Sequence, residues 1–150
     1  MIDNDKKIFE AWVAMIRSHQ LFMDAVEKAL KDAGMPPLSW YDVLLEINRA
    51  KDKRLRLQDI GDKILLAKNN TTRLVDRLER EKLVIRKKCE NDGRGVYAYI
   101  TQKGEGVLKT MWPVYRQAVR EHFGSYISDA ELDRIIACYK NLKSGGEHRS

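Results

Sequence analysis

Residues 5–33 form the longest amphipathic segment of the chain, and apolar side chains recur at helical spacing around most of its circumference. One face carries Ile8, Trp12, Met15, Phe22, Val26 and Ala29, and the face beside it carries Phe9, Val13, Ile16 and Met23. A helix that is apolar on several faces must be buried on several sides. In a chain of 150 residues, which is the size of one domain, this segment predicts a long helix that packs against a second subunit.

The rest of the chain predicts further helices and one short β-hairpin. Gly34, Pro36 and Pro37 end the first helix, because glycine tolerates the left-handed cap and proline cannot continue a helix. The apolar spacing then predicts helices over residues 39–50 and 60–66, from residue 67, over residues 101–123 and from residue 128. Strand-like segments are residues 54–57, 84–88 and 96–101, the last two joined by a charged, turn-rich tip.

Polar residues stand where three of these helices would begin. Ser39, with Asp42 three residues later, predicts the N-cap of the second helix. Thr101 is placed to cap the helix that follows the hairpin. Ser128 and Glu131 form a capping-box pattern at the start of the last helix.

Positive charge is concentrated in the middle of the chain. Residues 51–103 contain 15 Lys and Arg against 8 Asp and Glu, a net charge of +7. The remaining residues contain 13 against 14, a net charge of −1. A basic segment between neutral ones is typical of a surface that binds a polyanion, and a solvated basic face is the alternative.

Two motifs follow one another within this basic segment. The first is Asp59-Ile60-Gly61-Asp62-Lys63-Ile64 followed by Asn70-Thr71-Thr72-Arg73-Leu74-Val75-Asp76-Arg77-Leu78-Glu79, and the second is Asp92-Gly93-Arg94-Gly95 with Ile100-Thr101-Gln102-Lys103-Gly104. Their order and separation resemble the helix-turn-helix and the wing of the MarR family. The resemblance extends over residues 8–142.

The resemblance implies a mainly α fold with a small β wing, a winged helix-turn-helix flanked by N- and C-terminal dimerisation helices. Within a single domain of residues 1–150, the DNA-binding part is expected over residues 38–104. The dimerisation helices are expected over residues 5–33 and 104–143, followed by a loose tail over residues 144–150. Such a protein is expected to bind double-stranded DNA as a homodimer, at an inverted repeat, and to act as a repressor.

The candidate DNA contacts are the polar and basic residues of the recognition helix, the first strand and the wing: Arg56, Lys68, Asn69, Asn70, Thr71, Thr72, Arg73, Arg77, Arg86, Lys88, Asp92 and Arg94. The major groove admits one helix, in which Asn pairs bidentately with adenine and Arg with guanine. The alternative is that Asn69 and Asn70 only cap the helix and that Arg73 pairs with Asp76. The chain departs from the family at Ala67, where a helix-capping Ser is more usual.

Arg94 stands at the tip of the predicted hairpin, where an arginine enters a narrow and electronegative minor groove. The resemblance implies that Asp92, two positions earlier, orients Arg94. A solvated turn with an exposed ion pair is the alternative interpretation of these two residues.

Many regulators of this family release DNA when a small aromatic or phenolic acid occupies a crevice between the dimerisation helices and the winged helix. The residues here that would suit such an acid are an imidazole and four aromatic rings: His19, Trp40, Tyr41, Trp112 and Tyr115. Core or interface packing is the alternative for each of them.

Several other classes of protein are disfavoured. Cys89 and Cys138 are too few and too far apart in sequence for a metal cluster or a disulfide framework, which indicates a reducing, cytoplasmic setting. No run approaches the ~18 apolar residues of a membrane span. We find no glycine-rich phosphate loop, no metal-ligand spacing and no nucleophile with an identifiable base, so neither an enzyme nor a cofactor is expected. A helical protein-interaction module without DNA binding is the alternative function.

Overall fold

The computed structural model describes residues 2–89 and 95–147. Its elements, in chain order, are α1 (Ile2–Asp32), α2 (Leu38–Arg49), β1 (Arg54–Arg56), α3 (Leu57–Lys63), α4 (Thr71–Arg80), β2 (Val84–Lys88), β3 (Val96–Ile100), α5 (Gln102–His122) and α6 (Asp129–Glu147). The mainly α fold with a small β wing, which the sequence predicted, is therefore confirmed.

The residues group into two compact units, each of which is described by itself. The terminal unit combines Met1–Ala25 with Gln117–Ser150, and the central unit is Val26–Arg116. The winged helix predicted over residues 38–104 lies inside the central unit. The single domain over residues 1–150 and its two dimerisation segments stay predictions.

The central unit is built on a three-stranded antiparallel sheet with the order β1-β3-β2. Leu55, Ala98 and Val84 are buried on the three strands, and helices α2, α3 and α4 pack against the sheet. Apart from Met111 of α5, the described residues with no exposed surface come from these helices and the central strand: Val43, Leu44, Ile47, Ile60, Val75, Leu78 and Ala98. The core therefore fixes the helix-turn-helix to the wing sheet.

The start of α2 differs from the sequence prediction. Pro37 occupies the N-cap position without a side-chain hydrogen bond, so the predicted Ser39 cap is wrong. The cap is supplied from α1 instead, because the Leu38 backbone N–H donates to the Glu27 carboxylate at 2.9 Å. Glu27, 11 residues before Leu38, therefore forms the cap that the local sequence pattern had predicted for Ser39.

The end of the chain confirms one prediction and corrects another. The Glu131 carboxylate accepts hydrogen bonds from the backbone N–H and the hydroxyl of Ser128, both at 2.9 Å, so the predicted capping box is present. These bonds lower the pKa of Glu131 from its usual value. Helix α6 continues to Glu147, so a loose tail from residue 144 is wrong for residues 144–147. Gly145 and Gly146 disfavour a helix by about 1 kcal/mol each without ending it, and residues 148–150 lie outside the described part.

The first turn of α5 lies directly on the loop that follows α4. The Thr101 hydroxyl accepts the Gly104 N–H at 3.0 Å and donates to the Lys82 carbonyl at 2.7 Å, which confirms the predicted Thr101 cap. A Cβ at Gly104 would meet the Leu83 carbonyl oxygen well inside contact distance and the Ile100 side chain at 2.8 Å. Because the atom that an added Cβ would meet first belongs to the Leu83 backbone and cannot easily move aside, this position requires glycine.

We expect Gly104→Ala to lower the free energy of unfolding by about 2 kcal/mol or more, because an added methyl must displace backbone. Gly106→Ala is the matched control on the same helix, since its Cβ would meet nothing within 4 Å. The control is expected to be neutral or to stabilise by up to about 1 kcal/mol through helix propensity. Urea unfolding at fixed protein concentration measures both, and equal effects of the two substitutions would contradict the close approach at Gly104.

Candidate nucleic-acid interface

The N-terminal part of α4 presents a polar surface to solvent. A short 3-10 turn at Lys68–Asn70 leads into α4, whose Leu74, Val75 and Leu78 are buried against the core. The predicted contact residues on this element that are exposed are Lys68, Asn69, Asn70, Thr72, Arg73 and Arg77. Thr71 is half-buried, and its hydroxyl donates to the Lys68 carbonyl at 3.0 Å.

Four of these side chains have no partner within residues 2–89 and 95–147. Asn70 occupies the N-cap position of α4 but makes no side-chain capping bond. No hydrogen bond or ion pair joins the side chains of Asn69, Thr72 or Arg73 to another described residue. The alternatives in which the asparagines cap the helix and Arg73 pairs with Asp76 are therefore not observed, and these groups are available to an external partner.

The turn before α4 is fixed by a buried carboxylate. Asp42 in α2 is only 7% exposed, and its carboxylate accepts the backbone N–H groups of Leu65 and Leu66 at 2.7 and 2.8 Å. Hydrogen bonds to an ionised acceptor are stronger than neutral ones. Asp42 thus positions the turn between α3 and α4, although the sequence had suggested only a role near the N-cap of α2.

A cleft of about 610 Å³ separates the start of α2 from α4. The guanidinium of Arg77 lies 5.9 Å from the ring centroid of Trp40, within the range of a cation–π contact. Arg73 and Arg80 line the same cleft. Positive charge therefore extends along one side of α4, from its N-terminus to its last turn.

The outer face of the wing sheet alternates cationic and aromatic side chains. Arg54 pairs across the strands with Tyr99, and Arg56 with Tyr97. The Arg54 guanidinium lies 4.5 Å from the Tyr97 ring centroid, and Arg56 Nε donates to the Tyr97 hydroxyl at 3.1 Å. The Lys87 ammonium is 5.4 Å from the Tyr99 ring centroid. These contacts hold the guanidinium groups of Arg54 and Arg56 against the tyrosines of the sheet face.

The other predicted wing residues differ in their surroundings. Lys88 is exposed, whereas Arg86 is half-buried and forms ion pairs with Asp76 and Glu79 of α4. Asp92 and Arg94 lie outside the described residues. Of the predicted contacts on the two wing strands, Lys88 is therefore placed to reach a ligand, and Arg86 is already engaged within the protein.

Sequence reasoning missed the sheet-face residues Arg54, Tyr97 and Tyr99 and the carboxylate partners of Arg86. The alternation in Arg54-Leu55-Arg56 and in Tyr97-Ala98-Tyr99 was a usable signal, because side chains two apart share one face of a strand. The Arg86 partners have no such signal, since the pairing depends on how α4 packs against β2.

Comparisons with known proteins agree with this geometry. A model of the MarR family matches residues 33–95. The HTH-type transcriptional regulator MhqR of Bacillus subtilis is 33% identical over 137 residues, which cover 91% of this chain and 92% of that protein. The chain belongs to the MarR family. It is therefore a DNA-binding transcriptional regulator rather than an enzyme.

Solved structures of MarR family proteins have the same fold. Sco3205 from Streptomyces coelicolor, crystallised in complex with DNA, is 26% identical with a TM-score of 0.81, covering 90% of this chain and 84% of that one. BpsR from Bordetella bronchiseptica is 18% identical with a TM-score of 0.76, covering 89% and 98%. At that identity the BpsR structure supports the fold alone. No helix in the described part of this MarR family chain is long and apolar enough to cross a membrane.

The predicted effector residues of this MarR family protein are divided between the two units, with His19 in the terminal unit and the others in the central unit. Tyr41, Trp112 and Tyr115 contact one another in the central unit, with ring centroids 5.2 to 6.4 Å apart. Burial raises the pKa of the Tyr41 and Tyr115 hydroxyls. Trp40 is not part of this cluster and faces Arg77 instead. His19 lines a cavity of about 770 Å³ within the terminal unit.

The recognition helix of this MarR family protein begins after a strained residue. Ala67, where the resemblance led us to expect a helix-capping Ser, has a left-handed backbone with φ of 54°. We expect Ala67→Gly to raise the free energy of unfolding by about 0.5 to 1 kcal/mol, because glycine adopts this conformation without steric cost. Lys109→Gly, on an exposed residue inside α5, should lower it by a similar amount. Urea unfolding compares them, and a loss of stability in Ala67→Gly would contradict the strain.

Proposed function

We propose that this chain is a homodimeric repressor that binds an inverted-repeat operator, with the N-terminus of α4 in the major groove and the β2–β3 hairpin beside the minor groove. The observation that carries the proposal is a set of exposed side chains at the start of α4 that have no partner among the residues the structure describes: Asn69, Asn70, Thr72 and Arg73. Amide and guanidinium groups at a helix N-terminus are suited to adenine and guanine edges. The related Sco3205, which was crystallised in complex with DNA, supports DNA binding by this chain.

The surface of the terminal unit supports a homodimer. Large apolar side chains are exposed along α1, including Phe9 and Leu21, each at 67%. Tyr139 and Leu142 of α6 add to this surface. Exposed apolar patches of this kind mark contacts with other proteins. A two-fold dimer would place two α4 helices on half-sites about 34 Å apart, which is why an inverted repeat is expected.

Selection of bound duplexes from random DNA tests the proposal. The protein should enrich an inverted repeat whose half-sites lie about one helical turn apart. Arg73→Ala should relax the preference at one base pair of each half-site by about 1 to 3 kcal/mol, as expected for loss of an arginine–guanine contact. Arg80→Ala, at the other end of α4, is the control and should leave the preferred bases unchanged.

Two results of this selection would contradict the proposal. Enrichment of no sequence at moderate salt would favour the alternative function, a protein-interaction module without sequence-specific DNA binding. Equal loss of base preference in Arg73→Ala and Arg80→Ala would remove Arg73 from the base-reading set.

We further propose that a small aromatic or phenolic acid weakens DNA binding. One motivation is that BpsR, which shares the fold, is regulated in its DNA binding by 6-hydroxynicotinic acid. The other is the mainly apolar cavity that contains His19. An aromatic acid that binds there should raise the melting temperature and lower the affinity for the operator, and His19→Ala should reduce both effects. A His19→Ala variant that responds unchanged to every active compound would exclude His19 from the effector site.

A further inference from the structure

The guanidinium of Arg86 in β2 is held by two carboxylates of α4. Its Nη1 atom lies 2.6 Å from Asp76 Oδ1, and its Nη2 atom lies 3.0 Å from Glu79 Oε1. The Nε atom also donates to Glu79 Oε1, at 3.3 Å. All three guanidinium nitrogens therefore face carboxylate oxygens of the recognition helix.

The backbone of Arg86 takes part in the same contact. Its N–H donates to Glu79 Oε2 at 2.8 Å, so the two oxygens of Glu79 accept from both the side chain and the main chain of one residue. Asp76 and Glu79 are three residues apart and share one face of the helix. These contacts define a clamp between α4 and β2, formed by Asp76, Glu79 and Arg86.

We propose that Arg86 is a positioning residue for DNA recognition, which fixes the wing strand to the recognition helix and neutralises the two acids of that helix. This inference rests on the proposed function, in which α4 and the hairpin enter adjacent grooves. An arginine engaged in this clamp does not serve as a phosphate contact, so Arg86 differs in role from the other basic residues of the interface.

The clamp neutralises two negative charges on α4. Asp76 and Glu79 alternate with Arg73, Arg77 and Arg80 along α4. Hydrogen bonds from Arg86 lower the pKa of Glu79 from its usual value, because Arg86 stabilises the charged form of this carboxyl. Without Arg86, two negative charges on the helix would face the phosphates uncompensated, and like charges at short range oppose binding.

Lys88 provides a matched control. It lies two residues after Arg86, on the same side of β2. Its side chain is exposed and forms no ion pair with another residue of the described ranges. Arg86→Gln and Lys88→Gln thus remove the same charge from the same strand, but only the first breaks the clamp.

The experiment measures operator affinity for Arg86→Gln and Lys88→Gln, each in the natural sequence and in a background that carries Asp76→Asn and Glu79→Gln. The probe is the duplex enriched by selection from random DNA. Arg86→Gln should weaken binding at least 10-fold in the natural sequence but no more than about 3-fold once both acids are neutral. Lys88→Gln should cost the same factor in both backgrounds. A loss from Arg86→Gln that is equal or larger in the neutral background would overturn the proposal.

Two further readouts separate positioning from direct contact. Arg86→Gln should leave the slope of log affinity against log salt unchanged, whereas loss of a phosphate contact lowers its magnitude by about 1. Arg86→Lys should bind more weakly than the natural protein, because an ammonium lacks the planar fork that engages both carboxylates. Full binding by Arg86→Lys would overturn the proposal, since a lysine also serves as a phosphate contact.

Urea unfolding of the same variants, without DNA, checks that each one folds and reports the clamp independently. In one outcome, unfolding shows coupling between Arg86 and the two acids, but the natural protein retains no duplex. This outcome would refute the proposed function and with it the role of Arg86 in recognition. Specific DNA binding without any coupling would refute the clamp alone.

Discussion

The position of the recognition helix depends on the buried carboxylate of Asp42. An ionised group with little exposure is costly unless hydrogen bonds replace its lost water. Here two backbone N–H groups, from Leu65 and Leu66, replace it. These donors belong to the turn between α3 and α4. The turn therefore supplies the hydrogen bonds that the carboxylate needs, and the same bonds hold the turn in place. The exposed side chains at the start of α4, which we propose contact DNA bases, follow directly after this fixed segment.

A second constraint follows from the sharpness of that turn. Ala67 has a left-handed backbone immediately before the 3-10 turn that leads into α4, and Lys82 has one just after the helix, with φ of 61°. Residues other than glycine adopt this conformation at a cost of about 1 to 2 kcal/mol. The helix that would meet DNA is thus bounded at both ends by strained residues, and the buried contacts of Leu74, Val75 and Leu78 offset that strain.

Much of the fold was predictable from the sequence because it is encoded locally. The apolar spacing of residues 5–33, the capping box at Ser128 and the cap at Thr101 each depend on neighbours within a few residues. The loose tail predicted from residue 144 was a local error, whereas the missed cap and the missed turn contact involve partners distant in sequence. Glu27 replaces Ser39 at the start of α2 over a separation of 11 residues, and Asp42 reaches across 23 residues to Leu65.

The candidate site shows the same division. The order of motifs located α4 and the wing strands correctly, whereas the engagement of Arg86 by Asp76 and Glu79 depends on the angle at which α4 crosses β2. A count of charges treats every arginine as equally available to a ligand, but the packing of the protein determines which arginines are free to bind one. A basic segment in a sequence therefore gives an upper limit on the cations that a ligand can meet.

Leu83 forms backbone hydrogen bonds to both α4 and the start of α5. Its backbone N–H donates to the Leu78 carbonyl at the end of α4, at 2.9 Å, and its carbonyl accepts the Thr101 N–H at the start of α5, at 3.0 Å. Gly104 allows α5 to approach the Leu83 carbonyl closely. The last turn of α4 and the first turn of α5 are thus linked by one residue rather than by a flexible loop. Any displacement of the start of α5 would have to move Leu83 or break its hydrogen bonds, so this residue couples the position of α5 directly to that of α4, the helix proposed to bind DNA.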